Sequence, residues 1–487
     1  MQLPKRSVKQ NATLNAVRKI CSILFPIITF PYVTRVLQVE NIGIYQFSYA
    51  NISYFMLLAG LGIGTYAMRE GVPYRENREQ INDFANEIFT LNLLSTLVSY
   101  ILLGLCLFLV PKFRNYRIPM ALLSIEILLT TIGVEWLYAL YEDYLFITIR
   151  SLVFQFLTMA ALFVFVRNET DLYKYILITV IANAGSNTIN FVFSKKYFDL
   201  QLNRKHFQNL YRHIRPVLII FASSVTITIY VSSDVTMLGF FTNDYTVGLY
   251  TTATKVYTII KNLISAVLVV TIPRFAALVV EQKADEFENM FNRTFRLLLC
   301  LITPAAVGMA CLSREITYLA GGTRYLPGAP DLTILSAASV FALFAYLYTQ
   351  CVLIPCRMEK VVLIATTISA LVNIVLNFIL IPLFYDRAAA ITTVIAELIT
   401  VVISYYYARG KVRIHNISRD LGSVAVGCIG IAGICMLIKH YVSGVLLTAI
   451  LSVILSAGFY AAILLVFKNS ALQFLFAGFL KKRNKES

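Results

Sequence analysis

Charge is scarce in this sequence. Only 14% of its 487 residues are Asp, Glu, Lys or Arg, against roughly a quarter in soluble domains, while 58% are apolar. A chain of that composition has too few polar side chains to hydrate a surface on all sides, which excludes an ordinary water-soluble globule. Histidine is scarcer still: His206, His213, His415 and His440 are the four copies, all in loops or at the ends of apolar runs. The eight cysteines, Cys21, Cys106, Cys300, Cys311, Cys351, Cys356, Cys428 and Cys435, show no paired ligand spacing. A zinc or haem centre therefore has little to build on, no cofactor is expected, and the cysteines read as small packing side chains.

Long apolar runs are what the chain does have, with a mean hydropathy of +0.72. About 20 apolar residues cross the hydrocarbon core as a helix, and about fourteen such segments can be placed. They lie near 13–36, 42–67, 83–110, 120–140, 144–166, 173–194, 216–241, 247–273, 291–312, 332–355, 361–384, 388–408, 421–439 and 443–467. The expected fold class is an all-α polytopic membrane protein. Arg18 and Lys19 sit at the start of the first segment, which runs on through "FPIITFPYVTRVL" with no small-residue cleavage site, so it is expected to stay as a helix rather than be removed as a signal peptide. Pro26 and Pro31 each delete a backbone donor there and predict a bend, either a static kink held by packing or a point of movement.

Lys and Arg concentrate in cytoplasmic loops of membrane proteins; with both termini inside, about 27 of the 42 fall on that side, about 9 outside and about 6 within spans. One pair of loops resists the pattern. "PKFRNYRIP" at 111–119 places Lys112, Arg114 and Arg117 outside, and the inside loop "YEDY" at 141–144 is acidic. A local error in the span count would explain both.

The segment 195–215 is strongly basic and separates the sixth span from the seventh, as a cytoplasmic linker between two six-helix halves would. Anionic lipid is the usual neighbour of such a run, and nucleic acid is not an expected partner. "NIGIY" at 41–45 and "TVGLY" at 246–250 both open the second helix of a six-helix unit, with Gly43 and Tyr45 matching Gly248 and Tyr250. Duplication of a six-span unit is the reading. The expected organisation is a six-helix lobe over 1–194, the linker over 195–215, a second lobe over 216–408, and two extra helices with a basic tail over 409–487.

Six cations fall within spans: Arg18, Lys19, Arg35, Arg150, Lys255 and Lys261. Unpaired charge facing lipid costs about 2.5–3.5 kcal/mol near the bilayer centre, so these need a partner or a watered surface. Arg18, Lys19 and Arg35 lie near span ends, where long side chains reach the headgroups. Lys255 and Lys261 lie deeper, separated by about 9 Å along a helix and about 120° around it. Glu126, Glu135, Asp234 and Glu397 are the acids within spans, either neutralising those cations or binding a coupling ion, H+ or Na+. Trp136, with Tyr138, Tyr141 and Tyr144, reads as an aromatic belt at the membrane boundary, with stacking on sugar rings as the sharper alternative.

"FPIITFPYVTRVLQVENIGIYQFSYA" with "LAGLGIGTYAMRE", "GVEWLYALYED" at 133–143 and "DVTMLGFFTNDYTVGLYTTATKVY" at 234–257 resemble the bacterial polysaccharide flippase family, of the multidrug/oligosaccharidyl-lipid/polysaccharide exporter superfamily. The resemblance covers about the first 400 residues in order. It implies two pseudo-symmetric six-helix lobes in a V around a central cavity, opened alternately to the two sides of the bacterial cytoplasmic (inner) membrane. It also implies an undecaprenyl-diphosphate-linked oligosaccharide as cargo, with membrane lipids and polysaccharide polymerase machinery as partners. A diphosphate entering a low-dielectric cavity exchanges hydration for cations, so Lys261, Lys255, Arg150, Arg18, Lys19 and Arg35 become the substrate-binding candidates. The second lobe, through Lys261 and Lys255, is where the diphosphate is expected to be held.

Three competing readings remain. A cation or drug antiporter of the same superfamily should have an acid-dominated interior, whereas mid-span charge here is mostly positive. A peptidoglycan-precursor flippase would also want cations. A membrane polymerase or sugar transferase needs an exposed catalytic loop, and no outside loop exceeds about twenty residues or pairs Asp and Glu at ligand spacing, so an enzyme is not expected.

Overall fold

Among the described residues, twelve helices are long and apolar enough to cross a membrane, and two of them are too long to cross it once. Helix Val8–Gly60 has 53 residues and Glu359–Ala408 has 50. At about 1.5 Å per residue each runs roughly 75–80 Å, more than twice the hydrocarbon core. Each breaks at one non-helical residue, Gln38 (φ 67°, ψ 175°) and Tyr385 (φ 54°, ψ −129°). Two crossings in each make fourteen, the number expected from the sequence. The computed structural model describes residues 8–201 and 203–470, with side chains for Cys21 and from Leu24 onward, except at 202, 204, 205 and 223. Every regular element among the described residues is helical.

The break at Gln38 is held by side chains. A helix end leaves carbonyls without partners. Gln38 Nε2 donates to the carbonyl of Arg35 at 2.9 Å, and Asn41 Nδ2 donates to those of Leu37 at 3.0 Å and Glu169 at 2.8 Å. Pro26 and Pro31 lie within helical backbone, so the sharp departure comes at Gln38 and not at either proline.

The chain forms two compact units, Met1–Gly248 and Leu249–Ser487. In the first, the seventh span, Tyr211–Phe241, lies along the second. Ser53 and Ser232 hydroxyls are 3.1 Å apart, those of Tyr54 and Thr236 3.2 Å, and a Cβ on Gly239 would sit 2.0 Å from the Phe47 ring.

The two exceptional loops have structural explanations. The third span ends at Leu109 and the fourth begins at Arg117, so the span count there stands. Lys112 Nζ donates to the carbonyl of Thr242 at 3.2 Å, and Arg117 Nε to that of Leu107 at 3.2 Å. Both cations cap carbonyls at helix ends, where a positive charge is favoured. In the acidic loop, Glu142 pairs with Arg75 at 3.7 Å and Asp143 with Lys196 at 3.8 Å. Asp143 also accepts from the Tyr197 hydroxyl at 2.9 Å; burial, and then this bond, raise the Tyr197 phenol above its ordinary pKa.

The basic segment after the sixth span is clasped rather than free. Successive turns of the third span, Arg78–Leu109, present Arg78, Asn82, Asn86 and Glu87 to it. Arg78 donates to the carbonyls of Lys195 and Lys196, Asn82 accepts from the amide of Asp199, and Asn86 bonds both Asp199 and Gln201. His213, buried at the start of the seventh span, sits between the Tyr66 hydroxyl at 2.7 Å and Glu87 at 2.8 Å; Asn209 donates to Glu87 at 2.6 Å.

In the second unit the last two helices, Ser418–Tyr441 and Val445–Val466, are fastened to the ninth span, Ala284–Cys311. Arg296 reaches the fully buried Asp420 at 3.4 Å, Tyr460 donates to the carbonyl of Cys300 at 3.0 Å, and Asn292 donates to that of Arg413 at 2.8 Å.

Candidate functional site

Tyr257 and Lys261, one helical turn apart on the eighth span, share a face. Lys261 Nζ donates to the Tyr257 hydroxyl at 3.3 Å, which donates to Glu397 Oε1 at 3.3 Å; the ammonium is 4.0 Å from that oxygen and 4.8 Å from the Tyr257 ring centroid. Glu397 comes from the twelfth span and its side chain is 10% exposed, against 31% for Lys261. The phenol stands between the charges, so the ion pair is at the edge of contact. The ammonium is held by a ring face and a hydroxyl and is left with donors to offer. Lys255, a turn and a half earlier, is half-buried and makes no ion pair or hydrogen bond among the described residues.

A buried polar network joins the eighth and twelfth spans to the eleventh. Tyr250 and Thr393 hydroxyls are 3.2 Å apart, Thr392 donates to Asn377 Oδ1 at 2.5 Å, and Asn377 donates to Asn373 Oδ1 at 3.2 Å. Sequence reasoning passed over it, although two asparagines one turn apart in "LVNIVLNFI" were the available signal. Buried Asp331, beside Asp386 and Arg387, was also missed.

The other sequence candidates are dispersed. Arg150 is buried on the fifth span near Tyr138, Asp234 is buried on the seventh, and Glu135 is exposed at the start of the short helix Glu135–Leu140. Arg35 is exposed three residues before the Gln38 break, as a span-end cation would be. Arg18 and Lys19 lie in the first helix, with their side chains outside the described residues. Glu126, buried on the fourth span, accepts from Asn183 Nδ2 at 3.4 Å and meets none of the candidate cations among the described residues. Lys261 and Glu397, both among the ten candidates, meet as an ion pair.

The aromatic belt expected around Trp136 is instead a packed core. Trp136 and Tyr138 are buried, Tyr138 stacks on Phe146 at 5.1 Å and donates to the carbonyl of Asn190, and Tyr141 stacks on Tyr197 at 4.6 Å. The chain breaks at Gly133 and at Val134 (φ 37°), which turns these rings inward against the Phe84 and Phe198 cluster. A side chain at Gly133 would collide with Asn187, its Cβ 2.5 Å from Asn187 Cγ.

With every regular element among the described residues helical, and helices enough for fourteen crossings, the chain is a multi-pass membrane protein. Over residues 8–279 the sequence matches the family described as polysaccharide biosynthesis protein, and the chain belongs to that family. It is similar to two proteins to which O-antigen transport is ascribed. One, from Escherichia coli (strain K12), is 22% identical over 58% of this chain and 68% of its own length. The other, from Shigella dysenteriae, is 20% identical over 76% of this chain and 92% of its own. Among solved structures, the fold matches a lipid II flippase, MurJ, in an inward closed conformation with a TM-score of 0.72, at 14% identity, over 96% of this chain and 99% of that one. It also matches a multidrug resistance MATE family transporter of the MOP superfamily in an inward-facing conformation, with a TM-score of 0.62, at 14% identity, over 82% and 97%. The chain thus belongs to the polysaccharide biosynthesis protein family, shares its fold with MurJ and the MATE transporter, and is similar in sequence to two proteins described as O-antigen transporters.

Proposed function

We propose that the protein translocates undecaprenyl-diphosphate-linked oligosaccharide repeat units from the cytoplasmic to the outer face of the bacterial cytoplasmic membrane by alternating access, for capsule, O-antigen or exopolysaccharide synthesis. Both termini face the cytoplasm in this reading, and polymerase machinery takes up the delivered units. One observation carries it: the ammonium of Lys261 lies deep in a span, half-buried, with its carboxylate partner at the limit of contact and a phenol between. An ammonium so placed is positioned for a diphosphate, whose oxygens offer stronger acceptors than a neutral phenol. Lys255 adds a second cation on the same helix, while the polyprenyl tail stays in lipid.

The test is export in cells carrying Lys261→Ala. We expect surface polysaccharide to be lost and lipid-linked repeat units to accumulate on the cytoplasmic face, with protein level unchanged; normal export would overturn the assignment. Rescue of a strain lacking its peptidoglycan-precursor flippase, without rescue of polysaccharide export, would move the cargo to the peptidoglycan precursor. Extrusion of organic cations by the purified protein would move it to the antiporter reading.

A further inference from the structure

We propose that Glu126 is a proton-carrying site in the first unit, holding its proton in the arrangement seen here and releasing it when water enters. This rests on the transport reading above and names the coupling ion for it. Glu126 is nine residues into the fourth span, Arg117–Ile132, which puts it about 14 Å from the helix start and near mid-membrane. It is 7% exposed.

Among the described residues, the neighbouring elements offer it no charge. The second span contributes Tyr45 and Tyr49, whose stacked rings lie 5.9 Å apart with both phenols within electrostatic reach of Glu126. The sixth span contributes Tyr175, 4.9 Å from Tyr45 between ring centroids, and Asn183, whose amide donates to the carboxyl at 3.4 Å. The third span turns Thr96 and Tyr100 toward the fourth, but they are committed to Thr131 and to the carbonyl of Ser124. Asn187 packs under Gly133, and no charged side chain acts on Glu126 among the described residues.

A carboxylate so buried, with one long hydrogen bond and no cation among the described residues, is costly to ionise. The contrast with Glu87, Glu397 and Asp420 is direct, since each of those has a histidine, lysine or arginine within 4.0 Å. The groups present also favour a proton over a sodium ion. Asn183 turns its donor rather than its carbonyl toward the site, and phenols are poor ligands, so a metal would lack the several oxygens it needs.

Asn183 moreover belongs to the π-helical turn Ile181–Gly185. Such turns are locally irregular and concentrate at functional positions. Repacking this turn withdraws the amide and opens the carboxyl to water. The proton then passes from the carboxyl oxygen to a water molecule, leaving the carboxylate and a hydronium ion; the reverse transfer resets the site. One proton moves per cycle if the two events occur with the site open to opposite sides.

Infrared difference spectra of the full-length protein in lipid test the site without any cargo. The wild type should show a protonated-carboxyl carbonyl band near neutral pH that is absent from Glu126→Gln. Asn183→Ala, a second variant, should shift that band by removing its hydrogen bond. No such band in the wild type, or a band unchanged in Glu126→Gln, overturns the proposal. In proteoliposomes, a pH gradient should accelerate flipping of a lipid-diphosphate oligosaccharide by the wild type and by Glu126→Asp, but not by Glu126→Gln. Equal acceleration in Glu126→Gln overturns the coupling role. Absence of flipping by the wild type, with the infrared band present and lost in Glu126→Gln, overturns the cargo reading and leaves the proton site standing.

Discussion

Gly43 stands so close to the backbone of Asp244 that a Cβ on it would lie 1.8 Å from the Asp244 carbonyl oxygen, and the relation is reciprocated: a Cβ on Gly248 would lie 2.1 Å from that of Val39. The helical stretches that carry "NIGIY" and "TVGLY", 205 residues apart in the sequence, therefore touch backbone to backbone. Tyr116 fastens the same place by donating to Asp244 at 2.6 Å. Glycine is required here for its missing side chain rather than for its conformational freedom, since both residues are helical.

Gly43→Ala and Gly248→Ala should each force the two helix starts apart. Overpacking of this kind costs about 1–3 kcal/mol, and no flexible side-chain tip is available to yield at the carbonyl. A lower thermal unfolding temperature in detergent, together with reduced export at normal protein level, is expected. Variants with wild-type unfolding would show that the contact is dispensable.

Lys261 and Glu397 separate a structural role from a binding role. Glu397→Gln leaves a half-buried ammonium with only a phenol, and should destabilise by about 1–3 kcal/mol. The double variant Lys261→Met with Glu397→Gln should regain much of that stability, because no charge remains to be buried. Export should nevertheless stay absent in the double variant. If export returned with stability, the lysine would be a scaffold residue.

Glu87→Gln should weaken the clasp on the basic segment. His213 and Asn209 both lean on that carboxylate, and replacing a charged acceptor in buried hydrogen bonds costs about 1.5–3 kcal/mol. Limited proteolysis within 195–210 should speed up several-fold in Glu87→Gln and in His213→Ala, while Arg409→Ala, in the second unit, should leave that cleavage unchanged.

Arg296→Ala should strand the fully buried Asp420 at the start of the thirteenth span. Breaking a buried pair from one side costs about 3–5 kcal/mol. The last two helices should then loosen from the ninth, measurable as faster amide exchange over 418–466. Asp420→Asn combined with Arg296→Met should recover part of the protection.

Much of the fold was legible because span detection depends on local composition. Every one of the fourteen segments placed from the sequence falls on a helix, or on one part of a helix broken at Gln38 or Tyr385, among the described residues. Boundaries were less legible where the chain breaks inside an apolar run, as at Leu61 (φ 46°) and Val134 (φ 37°), because the left-handed turn there falls on residues with no turn signature. The candidate site was legible only in part. Lys261 and Glu397 were both named, but their meeting through Tyr257 depends on which faces of two distant helices are opposed.

By itself the sequence determined that this chain lies in a membrane, about how many helices are apolar enough to cross it, and that those helices carry cations and acids. Those properties follow from length, composition and period, which add along the chain. Tertiary structure alone decided which charges are neutralised and which rings are buried. Trp136 and Tyr138 read as a boundary belt and became core, the basic segment is held by the third span, and Glu126 meets Asn183 rather than a cation among the described residues. Each outcome depends on partners brought in from distant helices, and a charge in a low-dielectric interior takes its energy from those partners.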